Sequence, residues 1–190
     1  VGEVLALDDN TRIKAVGPSE DLVLNTSIGE NDLSLVLLMN YYNRNILFTG
    51  DIEKIGESHL LEVLDTKVDF LKVPHHGSNS SSSEDLLDKL EPDIAFISVG
   101  KNNMFGHPHE EVVNRYEDRN IQLYRTDELG LIKLKLNKDK YEITPFLKEK
   151  RSVLHIVEYF YFQLCFIIFY IIILYILVKH YKTWEREMRT

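Results

Sequence analysis

Short apolar runs, each closed by a turn that carries an aspartate or a histidine, constrain the fold of this chain more than any other feature. The turns are Thr49-Gly50-Asp51, Pro74-His75-His76-Gly77 and Gly106-His107-Pro108. Each follows a run of residues typical of a buried strand. Aspartate and histidine at strand ends are ligands that a borderline-soft divalent metal such as zinc accepts. The pattern therefore predicts an α/β fold with a site for metal-assisted hydrolysis.

The rest of the chain alternates between strand-like and helix-like segments. Strands are predicted at 33–39, 45–48, 68–73, 94–100, 121–126, 131–136 and 141–146, and helices at 52–64, 84–91 and 109–119. This alternation is typical of layered α/β structure, and the closing run of three strands predicts antiparallel pairing at one edge. Residues 1–27 are only weakly patterned.

Composition excludes several classes of protein and of metal site. The net charge of −8 argues against wrapping of nucleic acid by bulk electrostatics. The chain holds one cysteine, Cys165, so neither an internal disulfide nor a set of thiolate ligands is possible. Any metal ion must therefore be bound by histidine and carboxylate side chains. At 190 residues, a single domain is expected.

The C-terminal part is of a different kind. Residues 159–178 carry no charge, and as a helix they would span about 30 Å, the hydrocarbon thickness of a bilayer. With basic residues on both flanks, they predict a transmembrane helix over 153–178 and a polar tail over 179–190; the alternative is a buried core helix. Four Lys or Arg residues in the tail favour a cytoplasmic C-terminus. The chain starts at Val1 without Met, which is expected of a piece of a longer protein or of a trimmed one.

Four side chains in the turns are candidate metal ligands. Asp51 suits a carboxylate that bridges two ions, and it also suits the N-cap of the following helix, two roles that are compatible. At the turn after Pro74, one of His75 and His76 can bind a metal, while the other orients it, contacts substrate or serves as an acid. His107 lies ahead of a helix, where it suits a metal or an anion; the alternative is a partly exposed loop histidine.

Other polar residues near these turns are weaker candidates. Ser78 lies next to the histidine pair, whereas the serines after it are expected to form a turn into a helix N-cap. Arg125 can reach a substrate phosphate, although a surface ion pair with Asp127 is the alternative. His59 and His109 are expected at the surface.

Six motifs occur in order between residues 28 and 136. They are Asn31-x-x-Ser34-Leu35-Val36-Leu37, Thr49-Gly50-Asp51, Lys72-Val73-Pro74-His75-His76-Gly77-Ser78, Ser98-Val99-Gly100-x-Asn102, Gly106-His107-Pro108 and Tyr124-Arg125-Thr126-Asp127. In this combination they resemble the metallo-β-lactamase-fold domain of the ComEC family of DNA-uptake competence proteins.

The resemblance implies an αββα sandwich with a two-metal hydrolytic site that holds zinc or manganese. Asp51 is then the bridging carboxylate and His107 a ligand, with one of His75 and His76 a ligand and the other a ligand or proton donor. The implied catalytic residues are Asp51, His76 and Ser78, and the residues expected toward the substrate are Ser78, Asn102 and Arg125.

The resemblance also implies partners and a location. In this family the domain belongs to a polytopic membrane protein that passes single-stranded DNA into the cell, and it acts as a nuclease on the strand that is not transported. The expected partners are DNA, the membrane and the remainder of a DNA-uptake channel. The hydrolase domain is expected on the extracytoplasmic face of the cell membrane.

One departure from the family pattern decides between hypotheses. Such domains carry a His-x-Asp-x-Asp-His or His-x-His-x-Asp-His motif in their first half, and no such run occurs in this chain, whose first histidine is His59. Residues 28–147 are therefore expected to form the second half of a sandwich, with residues 1–27 as the end of the first, and to be inactive alone. The alternatives are a non-catalytic membrane-anchored remnant and a related hydrolase that acts on phosphoesters of lipid or cell-wall headgroups.

Overall fold

The computed structural model describes residues 2–147 and residue 161. Over these residues the strands are β1 (Val4–Asp8), β2 (Thr11–Gly17), β3 (Val36–Tyr41), β4 (Arg44–Phe48), β5 (Phe70–Lys72), β6 (Ile94–Ile97), β7 (Gln122–Arg125), β8 (Ile132–Leu136) and β9 (Tyr141–Pro145). The helices are α1 (Glu20–Leu24), α2 (Lys54–Val63), α3 (Glu84–Leu90), α4 (Glu110–Glu117) and α5 (Thr126–Leu129). Two 3₁₀ turns cover Glu30–Leu33 and Pro74–Gly77.

Strands β1 to β7 form one seven-stranded sheet in which each strand neighbours the next in sequence. The pairs from β1 to β4 are antiparallel, and those from β4 to β7 are parallel. The predicted α/β class is therefore confirmed. The antiparallel pairing predicted for the closing run of three strands is confirmed for β8 and β9, which form a separate hairpin, and is wrong for β7, which pairs in parallel with β6.

The two faces of the sheet are covered by different elements. Since adjacent strand residues point to opposite faces, Leu47 and Leu71 belong to the larger core with helices α2, α3 and α4. Their neighbours Ile46, Phe70 and Ile94 form a smaller cluster on the other face, where leucines of the β8–β9 hairpin pack against it. Helices on one face and a hairpin on the other give a three-layer arrangement.

The hairpin covers the second face incompletely. A cavity of about 650 Å³ lies between sheet and hairpin, and its lining is largely apolar, with Met39, Ile46, Phe96, Leu131 and Leu134 among it. Several apolar residues in this part of the chain are also exposed, including Phe48 at 44%. An apolar face open to this extent leaves room for a further packing layer.

Residues 4–17 are the main element that the sequence pattern missed. They form β1 and β2, and β2 pairs along its length with β3. Every residue of β1 is exposed, so the strand lacks the alternation that reveals a half-buried strand. Residues 1–147 make one compact unit and residues 148–190 a second.

No helix among the described residues is long and apolar enough to cross a membrane. The predicted transmembrane segment over 153–178 lies outside the described residues, apart from Tyr161.

The serine turn before α3 is held by a buried carboxylate of α2. Glu57 is 1% exposed, and its oxygens accept hydrogen bonds from the backbone N–H groups of Ser82 and Ser83, the latter at 2.9 Å. Burial raises the pKa of Glu57, while these hydrogen bonds and the nearby Arg115 act in the opposite direction. Ser83 caps α3 as the sequence predicted, accepting from the Leu86 N–H.

Candidate metal and hydrolase site

The loop that carries Asp51 is held by the 3₁₀ turn in front of β3. Ser34 Oγ accepts a hydrogen bond from the Asp51 N–H at 3.0 Å. Asp32 Oδ1 accepts from the N–H groups of Glu53 at 2.7 Å and Gly56 at 2.8 Å, so this buried carboxylate caps α2 from another part of the chain. The N-cap residue itself is Glu53. The alternative role of Asp51 as an N-cap is therefore wrong, and its carboxylate is free to face the histidines.

Gly50 allows the sharp turn between β4 and Asp51. Its φ is +59°, and a Cβ there would lie 2.6 Å from the Cβ of Ser34. Both the left-handed backbone and the close approach require glycine. The Thr49-Gly50-Asp51 motif is thus explained by the packing of this loop on Ser34.

The histidine pair lies on a backbone that few residues adopt. His75 and His76 have φ values of 44° and 55°, and Gly77 follows at 81°. Left-handed backbone costs a non-glycine residue roughly 1–2 kcal/mol, so such residues persist only where the surrounding structure holds them. A Cβ on Gly77 would lie 2.6 Å from the Cβ of Pro108, which shows how closely the His107 loop approaches this turn.

His76 is oriented as a metal ligand would be. Its Nδ1 lies 2.6 Å from the carbonyl oxygen of Ser98 and donates to it, so in the neutral imidazole Nε2 is the nitrogen with a free lone pair. That Nε2 lies 3.6 Å from Asp51 Oδ2. A ring nitrogen turned outward by a hydrogen bond on its partner nitrogen is the arrangement of ligating histidines. The structure therefore brings Asp51 and His76 together.

Among the described residues, His75 and His107 each bury a ring nitrogen that has no hydrogen-bond partner. The two atoms are Nδ1 in both residues, and the ring centroids lie 5.7 Å apart. His75 Nδ1 is 3.1 Å from Glu53 Oε1, within ion-pair distance but without hydrogen-bond geometry. Buried polar atoms are usually paired, so two such atoms on neighbouring rings suit a ligand such as a metal ion.

The lowered pKa of His107 favours a role as a metal ligand. Burial lowers the pKa of His107, and repulsion from His109, His75 and His76 lowers it further. A neutral imidazole is the form that binds a metal. His109, expected at the surface, is partly exposed, and its ring centroid lies 5.1 Å from that of His107.

Lys72 adds a positive charge beside Asp51. Its Nζ donates to the Gly50 carbonyl oxygen at 2.7 Å and lies 3.4 Å from Asp51 Oδ1. Burial lowers the pKa of Lys72, and the charge of Asp51 acts in the opposite direction. One carboxylate oxygen of Asp51 therefore faces a lysine and the other a histidine.

These side chains match only part of a metal centre. Over residues 2–147 and 161, no three His, Cys, Asp or Glu side chains come together so that they could hold one ion. The contacts are pairs: Asp51 with His76, His75 with Glu53, and His75 with His107. A zinc ion needs at least three protein ligands, so a closed site requires further donors.

The predicted substrate residues lie in different surroundings. Ser78 is 6% exposed, and its hydroxyl bonds that of Ser80 at 2.9 Å within the serine turn. Arg125 makes a two-pronged ion pair with Asp127, at 2.8 and 3.2 Å, which is the alternative foreseen for it. Asn102 is exposed, while the adjacent Asn103 lines a cavity of about 470 Å³ beside His76 and His107.

Sequence reasoning assigned no role to Lys72, Glu53 or Asn103. Lys72 stood within a quoted motif, directly before the strand end that delivers the histidines. A charged residue within an apolar run was the one feature of the sequence that indicated a role for Lys72. Glu53 and Asn103 carried no signal, because their contacts are made by partners brought in from other elements or by the turn of the loop itself.

Comparison with known proteins gives a family match and several relatives. A model of the Metallo-beta-lactamase superfamily matches residues 4–101. "ComE operon protein 3" of Bacillus subtilis is 42% identical over 104 residues, 54% of this chain and 13% of that protein. "Recombination protein 2" of Haemophilus influenzae is 35% identical over 114 residues, 60% of this chain and 14% of that protein. "Competence protein ComA" of Neisseria gonorrhoeae is 33% identical over 132 residues, 68% of this chain and 18% of that protein.

The chain thus spans 13% to 18% of the length of these curated relatives.

Proposed function

Because the chain belongs to the metallo-beta-lactamase superfamily, we propose that it is the C-terminal half of a divalent-metal-dependent phosphodiesterase domain in a ComEC-family competence protein. The superfamily implies a divalent metal ion, and the choice between zinc and manganese is open to test. We propose DNA as the substrate because two of the three relatives are named for competence or recombination.

One observation carries this proposal: Nε2 of His76 lies 3.6 Å from Asp51 Oδ2, near two buried histidine nitrogens that have no hydrogen-bond partner among the described residues. Donor atoms of this kind at strand ends suit an ion that polarises a phosphate. A purely structural cluster would satisfy its own buried nitrogens.

Each residue of the site has a proposed task. Asp51 and His76 hold the ion, and the Ser98 carbonyl keeps the proton of His76 on Nδ1. His107 supplies a further neutral nitrogen. His75, next to the Glu53 carboxylate, moves a proton to or from the reacting phosphoester.

When bound, a divalent ion supplies Lewis-acid polarisation of the phosphate and a nucleophile near neutral pH. The chain contributes the rest. Lys72 Nζ, held by Gly50, offers a positive charge at the same edge of the sheet, where a phosphate oxygen can approach it.

A first half of the domain completes the site in this proposal. The His-x-Asp-x-Asp-His motif is absent from these 190 residues, and the described donors occur in pairs. The apolar second face of the sheet, with its cavity of about 650 Å³, is where a further layer would pack. The same pairs also support a second candidate function, a non-catalytic remnant whose site no longer holds two ions.

The test compares the chain alone with the domain completed by a first half that carries the missing motif. We expect the chain alone to bind zinc or manganese weakly in calorimetry, since pairs of donors cannot close a coordination shell. We expect the completed domain to bind metal tightly and to cleave single- or double-stranded DNA.

Each other outcome has a meaning. Tight binding of two ions by the chain alone would show that its site is complete. A completed domain that binds metal and cleaves no DNA would support the remnant, and one that cleaves only phospholipid or cell-wall phosphoesters would support the related hydrolase.

We further propose that residues 153–178 anchor the chain in a membrane, with the hydrolase portion on the extracytoplasmic face. The argument is from sequence alone: Gln163 is the only strongly polar residue in the uncharged run 159–178. The chain is expected to stay with membranes through alkaline carbonate extraction. Its release into the soluble fraction would contradict the anchor.

A further inference from the structure

We infer that Phe105 is a stacking platform for one nucleobase of a single-stranded substrate, next to the proposed metal ligands. The inference rests on the proposed function and adds to it a binding site for the base that flanks the reacting phosphate. It begins from an exposed apolar tip on the loop over residues 100–107. Met104 is 89% exposed and Phe105 is 70% exposed, although both lie beside a polar site.

The tip does not depend on apolar packing for its position. The side chain of Asn103 accepts from the N–H groups of Phe105 at 3.2 Å and His107 at 3.0 Å. The same side chain donates to the carbonyl oxygens of Gly100 at 3.0 Å and His107 at 2.6 Å. Asn103 thus satisfies all its hydrogen-bonding groups by closing the loop on itself. The loop holds Phe105 out by polar contacts, and burial plays little part.

The ring of Phe105 is already half of a stack. It lies nearly parallel to the ring of His107, with an interplanar angle of 17° and centroids 5.8 Å apart. That contact fixes the orientation of the phenyl ring, and the remaining surface is open to solvent. A flat, oriented, solvent-facing aromatic ring has the geometry on which bases of single strands stack.

The position of the ring matches the size of a nucleotide. Phe105 and His107 both line the cavity of about 470 Å³, together with His76, Ser98, Gly100 and Thr126. A phosphate near His76 and His107 would leave its neighbouring base within one nucleotide of the Phe105 ring.

Other occupants fit this tip less well. The surface area of two adjacent side chains is far smaller than the area that a stable protein interface buries. The high net negative charge of the chain, −8, disfavours a long electrostatic track for nucleic acid, so a local contact with a base has to supply affinity. Duplex DNA hides the faces of its bases in the stack, so the platform selects single strands or unpaired ends.

A fluorescence experiment tests the stack directly and needs no metal. The chain has one tryptophan, Trp184, so Phe105→Trp in a Trp184→Phe background places the sole indole at the platform. The probes are a short oligothymidylate and an abasic oligonucleotide of the same length and charge, in chelator and about 0.15 M salt to screen repulsion. We expect the oligothymidylate to quench the indole and the abasic strand to leave it unchanged.

The matched control is Phe146→Trp in the same background. Phe146 is 76% exposed but lies at the end of β9 and does not line this cavity. Equal quenching by the two strands, no quenching by either, or equal quenching at position 146 would overturn the platform.

An affinity measurement gives the second readout. Phe105→Ala in the full chain is expected to weaken binding of oligothymidylate about tenfold, as expected for the loss of one stacked base, and to leave binding of the abasic strand unchanged. Phe146→Ala should change neither. Unchanged oligothymidylate binding in Phe105→Ala would refute the inference.

These binding results are separate from the proposed function. Base-dependent quenching in a completed domain that cleaves no DNA would contradict the phosphodiesterase and leave the platform intact. DNA cleavage without base-dependent quenching would contradict the platform and leave the phosphodiesterase proposal intact.

Discussion

Asp51→Ala in the completed domain is expected to lower kcat/KM for DNA cleavage by about 10²–10³-fold, the loss that several kcal/mol of transition-state stabilisation would cause. Asp51 Oδ2 is the carboxylate oxygen that faces His76 Nε2 at 3.6 Å. Its removal takes away a proposed metal ligand and leaves the charge of Lys72 without the Asp51 carboxylate beside it. Metal content by atomic absorption should therefore fall together with the rate.

Asp65→Ala is the matched control, because the side chain of Asp65 is 99% exposed and has no proposed role in the site. It should keep both metal and rate. If Asp51→Ala cleaves DNA as fast as the parent, this edge of the sheet is not the catalytic site, and the remnant becomes the better description of the chain.

The second large effect is expected on stability. Glu57→Ala should lower the free energy of unfolding by about 2–4 kcal/mol, because two backbone N–H groups, of Ser82 and Ser83, lose their buried acceptor. Urea unfolding followed by circular dichroism measures the change. Glu62→Ala on the same helix, at a side chain 74% exposed, is the control and should cost far less.

Glu57→Gln adds a test of pH dependence. Glutamine keeps one acceptor oxygen, so a smaller loss than for alanine is expected. Burial raises the folded-state pKa of Glu57 above its unfolded value, so the stability that this group contributes is full below the unfolded pKa and falls as pH rises through the folded pKa. The difference in free energy of unfolding between wild type and Glu57→Gln should therefore become smaller as pH rises from the unfolded pKa of Glu57 through its folded pKa. A difference independent of pH would show that Glu57 does not titrate in this way.

Short sequence patterns were enough to predict the family and the order of the site residues along the chain. The ComEC-family resemblance drawn from six motifs is confirmed by the superfamily match over residues 4–101 and by the three relatives. The strands before Asp51 and the histidine pair were found close to their predicted positions, since each is a short apolar run closed by glycine or proline. The turn at Pro74 also brings both histidines to the same region, as the proline and glycine around them suggested.

Contacts between distant residues decided the rest. Ser34 holds the backbone of Asp51, Asp32 caps α2, and Glu57 caps the serine turn, across separations of 17 to 26 residues. No local periodicity encodes such pairs. The same holds for residues 4–17, where β2 is recognisable only from its pairing with β3 and β1 only from its pairing with β2, and for the β8–β9 hairpin, which covers the second face and does not extend the sheet. Sequence determined which side chains stand at the strand ends, because hydrophobic period and turn residues act within a few positions along the chain. Their orientation, such as the Nδ1 of His76 on Ser98 and the Nζ of Lys72 on Gly50, is set by partners that only the folded sheet brings within hydrogen-bond distance.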